Sequence, residues 1–190
     1  MSTWTCKALI TGAFLALAGC DESEFGPSSQ ALLSADLGNS GVRLVPPPGY
    51  CIDKRSLRAS FALMARCDTL GGERSVAVPL AVITATATPR LDGAASAATS
   101  SETVLGRLHT STLAMVQVRG APPSPTLRDV YWRGVGDVGD HVLGLAIYES
   151  KDGAILGEQA PELLVQAMQR TLSQTAALTA QAANNSVSSP

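Results

Sequence analysis

The stretch from Met1 to Cys20 decides what the rest of the chain can become, because a targeting segment has to be set aside before any fold is read. Lys7 and the amino terminus supply positive charge, and Ala8 to Ala18 then runs for 11 largely apolar residues. A helix that short falls below the ~20 residues needed to cross a hydrocarbon layer of ~30 Å. It suits the apolar region of a secretory signal, and it stops at Leu17-Ala18-Gly19-Cys20. Residues 1–19 are therefore read as a signal peptide, which leaves 171 of the 190 residues for the fold. That length can bury a core without dense cross-linking.

Leu17-Ala18-Gly19-Cys20 resembles the lipobox of bacterial lipoproteins. Leu17 suits an apolar pocket of the processing protease, Ala18 and Gly19 leave the backbone accessible, and Cys20 supplies a soft nucleophile. The resemblance implies cleavage between Gly19 and Cys20, diacylation of the Cys20 thiol and acylation of the new amino group. Two or three acyl chains anchor stably where one is marginal. The implied address is the periplasmic side of a bacterial membrane, with the membrane itself as a partner through lipid on Cys20. Asp21 resembles the signal that retains lipoproteins on the inner membrane in enteric bacteria.

The same address governs the remaining thiols. Cys6 leaves with the signal and Cys20 carries lipid, so Cys51 and Cys67 are two thiols in an oxidising compartment. A disulfide is the expected outcome. Their spacing is too wide for a Cys-x-x-Cys redox pair, and no second Cys pair or His cluster completes a zinc site. A simple hairpin through Asp53 to Arg58 would set Cys67 opposite Leu44. Pro46-Pro47-Pro48-Gly49 is therefore expected to break the chain, so that Cys51 folds back toward Cys67.

Four segments are expected along the chain: the signal at 1–19, a lipid-anchored flexible tether at 20–41, one domain at 42–178 and a disordered tail at 179–190. Strands are read at Val42–Val45, at Ala59–Cys67 and at Val76–Thr88, where Pro79 suggests an edge or a bulge. Thr99-Ser100-Ser101-Glu102 resembles a capping box that opens a short helix to His109. A strand follows from Leu113 to Arg119. Asp129–Val135 and His141–Glu149 read as a hairpin joined by residues 136–140. Both faces of its second strand are apolar, which places that strand centrally. Pro161 suits the first turn of a helix to Leu178, with Leu164, Ala167, Met168 and Leu172 as its buried stripe. The expected fold is α+β, a mostly antiparallel sheet covered by helices, ending in a long C-terminal helix.

Composition narrows the function. With 14 basic and 16 acidic residues the net charge is -2, so no nucleic-acid footprint is present. Gly134-Val135-Gly136-Asp137-Val138-Gly139 matches GxGxxG by letter, but a dinucleotide loop needs a helix after it, and a strand follows here. Asp137, Asp140 and His141 share that turn as ordinary turn residues, and His109 sits at an expected helix end. No metal, cofactor or catalytic residue is assigned. Period-two alternation makes Trp132 a core residue and puts Tyr131 and Arg133 on the other face, a candidate partner surface.

The order of a hairpin and then a long C-terminal helix resembles the closing unit of the PsbP-like α/β/α sandwich. The resemblance spans residues 42–178 by element order and rests on no diagnostic motif. It implies a small domain, in some members lipid-anchored, that assists larger complexes. The leading expectation is a non-catalytic, membrane-tethered accessory domain that binds a protein of the cell envelope. A small-ligand carrier with a pocket between sheet and helix stays open, as does an enzyme of unknown reaction.

Overall fold

The computed structural model describes residues 30–73, 78–90 and 101–187. They form an eight-stranded antiparallel sheet with one long helix across one face, an α+β architecture. The strands of the large sheet are β1 (Ala31–Leu32), β4 (Tyr50–Asp53), β5 (Phe61–Arg66), β6 (Ala81–Pro89), β7 (Thr103–His109), β8 (Ala114–Arg119), β9 (Val130–Val138) and β10 (His141–Glu149). Their spatial order is β1-β4-β5-β6-β10-β9-β8-β7. A two-stranded ribbon, β2 (Ala35–Asp36) with β3 (Arg43–Leu44), lies apart, and α1 spans Gln159–Val187.

The core forms between the sheet and α1. Period two sends Leu143, Leu145 and Ile147 of β10 to the helix side, beside Ile83 and Ala85 of β6 and Met64 of β5. Leu164, Ala167 and Met168 meet them from α1, each with no exposed surface. The expected stripe of α1 is thus its buried face. Thr171 is buried too, and it works as a splint: its Oγ1 accepts from the Val45 N–H at 3.0 Å, and Thr175 Oγ1 accepts from the Arg43 N–H at 3.0 Å. Hydroxyls one helical turn apart satisfy amides two residues apart, which lays the β3 segment along α1.

The Pro46–Gly49 segment separates β3 from β4, and β4 folds back on β5 with Cys51 opposite Ala65. Cys67 lies one residue beyond the pair Tyr50–Arg66, diagonal to Cys51 on the same face. The two are joined as a disulfide with Cα atoms 4.8 Å apart. In the chain-entropy model a loop of this size contributes on the order of 3 kcal/mol.

Several boundaries differ from the sequence expectations. The tether read to residue 41 gives way to structure at Ala31: β1 pairs with β4, and Leu37 is fully buried in the main core. Sparse apolar residues in a polar segment found a sheet edge to pair with. The helix read up to His109 is instead β7, because pairing with β8 along Thr103–His109 satisfies alternate backbone groups there. The capping residues Thr99 and Ser100 fall outside the described residues. Pro79 precedes β6 and does not interrupt it, so β6 is an inner strand, not an edge. The hairpin loop is two residues, Gly139 and Asp140, since Val138 already pairs with His141. The tail read from residue 179 is helical to Val187, in keeping with its high alanine content.

Candidate functional site

Charged and aromatic side chains gather on the sheet face that α1 leaves uncovered. Alternation along β9 sends Trp132 toward α1 and Tyr131 and Arg133 to the opposite face. Trp132 packs partly buried against the main core. Tyr131 packs with Val116 and Val118 of β8 in a second, smaller cluster. Tyr148 stands beside it on β10, with ring centroids 4.6 Å apart and planes tilted by 40°.

Glu102, just ahead of β7, ties this group together. Its Oε1 accepts from the Tyr131 hydroxyl at 2.6 Å and from Arg133 Nη1 at 2.8 Å, and its Oε2 lies 2.9 Å from the same Nη1. The Glu102 side chain is 7% exposed, against 31% for Arg133. The contact needs room at Gly120, where an added Cβ would stand 3.0 Å from both Glu102 Cγ and Tyr131 Oη. Burial pushes the Tyr131 hydroxyl well above its ordinary pKa, and the bond to Glu102 adds to the shift. Burial raises Tyr148 as well.

This chemistry is that of a clamp. Glu102 is occupied by a guanidinium and a phenol, so it is not poised as a base, and Tyr131 is held neutral with its proton committed. The expected partner surface at Tyr131 and Arg133 is therefore narrower than the sequence suggested. Tyr131 is 5% exposed and presents little to a partner, while Arg133 borders a shallow groove of about 90 Å³ with Thr84, Thr86, Gly144 and Tyr148.

A larger groove opens on the helix side. It holds about 520 Å³ between Leu108, Gln117 and Trp132 of the sheet and Gly157, Glu158 and Pro161 at the start of α1, with Arg107 at its rim. Sequence reading placed Trp132 in the core but missed this groove, because its walls come from segments that meet only in the folded chain. Glu102 was missed for a related reason: its letters matched a helix cap, and its partners lie 29 and 31 residues away.

The other sequence candidates are dispersed. Gly19 and Cys20 fall outside the described residues. Gly134 and Gly136 lie within β9 and Gly139 in the loop after it, so no helix begins there. Asp137 pairs with Arg90 at 3.2 Å. His109 closes β7 and His141 opens β10, with β8 and β9 between them. Among the described residues no three His, Cys, Asp or Glu side chains gather as a metal site, and no helix is long and apolar enough to cross a membrane. No protein-family model and no curated protein matches the chain.

Proposed function

We propose that this chain is an envelope lipoprotein, anchored through acyl groups on Cys20 on the periplasmic side of a bacterial membrane, whose folded domain binds a partner protein without turning over a substrate. The observation that carries the reading is Leu17-Ala18-Gly19-Cys20 at the close of an 11-residue apolar run. The first backbone contact among the described residues, Gln30 with Leu70, follows that cysteine by ten residues (30 less 20). Such a leash keeps the domain near the surface and raises its effective concentration toward membrane neighbours. The commitment of Glu102 to Tyr131 and Arg133 favours binding over acid-base chemistry at this cluster. A small-ligand carrier would call for an enclosed cavity, and the groove beside Trp132 is open to solvent.

Complementation of a deletion strain tests the reading. One variant carries His109→Ala with His141→Ala. The other replaces the lipid signal with a cleavable soluble one and keeps the folded domain unchanged. The first is expected to support function and the second to lose it. Full function of the untethered form, with a folded but inactive double-histidine variant, would overturn the proposal.

A further inference from the structure

β7 ends the large sheet, so one side of its backbone faces outward. Thr110 N–H donates to Leu113 O at 3.0 Å, which fixes the phase of the antiparallel ladder. Hydrogen-bonded pairs alternate with non-bonded ones. Leu108 with Met115 and Gly106 with Gln117 therefore exchange the inner bonds. The N–H and C=O groups of Arg107 and His109 point away from β8, and among the described residues no backbone group bonds to that outer side. These four groups form a template for an added strand.

The large groove lies beside this edge. Gly106 and Leu108 share the helix-side face with Gln117 and Trp132, and Leu108 is 42% exposed. A strand added ~4.8 Å beyond β7 would hang alternate side chains over the groove. Its volume of about 520 Å³ accepts a large apolar one.

We propose that the outer edge of β7 is a docking strand: an extended, acidic segment of a partner protein adds to the sheet there and seats one large apolar side chain over Leu108, in the groove that Trp132 closes on its far side. This rests on the partner-binding reading above and names its surface. Charge selects the occupant. From Thr103 to Leu113 the chain carries the Arg107 guanidinium and no acidic residue, so a carboxylate beside it on the added strand meets opposite charge and a lysine meets like charge. The groove's one acidic residue, Glu158, stands on the far wall at the start of α1. A second copy of β7 fits poorly. Two-fold pairing through Gly106 would run across the register shift between Val104 and Gly106 in both strands.

The test uses two synthetic eight-residue peptides. One alternates valine with glutamate and has phenylalanine in place of a central valine; the other has lysine for each glutamate. In the detergent-solubilised protein Trp4 leaves with residues 1–19, or is replaced by Trp4→Phe where they are retained, so Trp132 is the only tryptophan, and its fluorescence reads the groove. The glutamate peptide is expected to bind saturably and the lysine peptide at least ten-fold more weakly, with Arg107→Glu inverting that order. Arg107→Pro removes an outward N–H and no ladder bond, so binding is lost while the thermal unfolding midpoint holds. Equal affinity for both peptides, no saturable signal, or unchanged binding by both Arg107 variants would overturn the proposal. So would a dimer in sedimentation that Arg107→Pro abolishes, which would assign the edge to a second copy. Because the titration needs no cell, its failure overturns this edge alone. Failure of the tethering experiment with peptide binding intact overturns the function instead.

Discussion

Glu102 accepts from two side chains of β9 while it is itself nearly buried, so removing it would strand a phenol and a guanidinium against the sheet. Breaking a fully buried ion pair costs about 3–5 kcal/mol. Arg133 is 31% exposed, and water will recover part of that. Glu102→Ala is therefore expected to lose about 2 kcal/mol in urea unfolding, with Glu102→Gln retaining more because its amide oxygen still accepts. An alanine variant as stable as the parent would show that the clamp contributes nothing. The tyrosines add a pH dependence. Burial pushes Tyr50 up to about 12, and Tyr131 is raised too. Both fold best as neutral phenols, so their contribution is complete below the unfolded value of about 10 and is lost as pH rises through the folded values. Urea midpoints measured from pH 8 upward should fall beyond pH ~10, and Tyr50→Phe should flatten the fall. The faces of Tyr131, Trp132 and Arg133 were legible from alternation alone. Their partner was not, because alternation says which way a side chain points and never what arrives from another strand.

At the scale of elements, the segments read well were those whose pattern admits one period. The second hairpin strand is apolar on both faces and became the inner strand β10, and the stripe of α1 emerged as its packed side. β7 was misread because Val104, Leu105 and Leu108 suit a helical stripe as well as a strand, and the arbiter was β8, which no local window contains. β1 and β2 escaped notice because two-residue strands hardly differ in composition from a tether. The glycines of the hairpin offer a test of strand against loop. An added Cβ at Gly136 would lie 2.3 Å from the Thr112 carbonyl oxygen and 2.7 Å from Met168 Cε, between the β7–β8 turn and α1. At Gly139, with φ +58°, nothing stands within 4 Å. Gly136→Ala is expected to lose about 3 kcal/mol through forced displacement of backbone, and Gly139→Ala about 1 kcal/mol from the left-handed conformation alone. Equal losses in denaturant titrations would mean that α1 does not press on β9 as described.

At the scale of the whole molecule, Gln30, where the described chain begins, and the proposed docking strand lie at opposite edges of one sheet. Gln30 bonds to Leu70 and Lys54 at the β1–β4 edge, while β7 closes the other. Seven strand spacings separate these edges, roughly 34 Å. The ten residues from Cys20 to Gln30 reach at most ~35 Å fully extended. On the proposed anchor, a leash of that reach would hold the domain within about one sheet width of the lipid surface and leave β7 open to an extended segment of a partner. The proposed tethering depends wholly on acylation at Cys20, which makes that residue the place for the last prediction. Mass spectrometry of the membrane fraction should find an N-terminal Cys20 bearing acyl chains and no peptide from residues 1–19. Cys20→Ser removes the thiol whose acylation the proposal places before cleavage, so the variant should accumulate at its unprocessed length with the signal attached. The folded part should be untouched, because the Cys51–Cys67 bond and every strand among the described residues lie downstream of residue 30. A soluble mature chain beginning elsewhere, or one with a free Cys20 thiol, would remove the anchor. β7 would then be a sheet edge with no tie to any membrane.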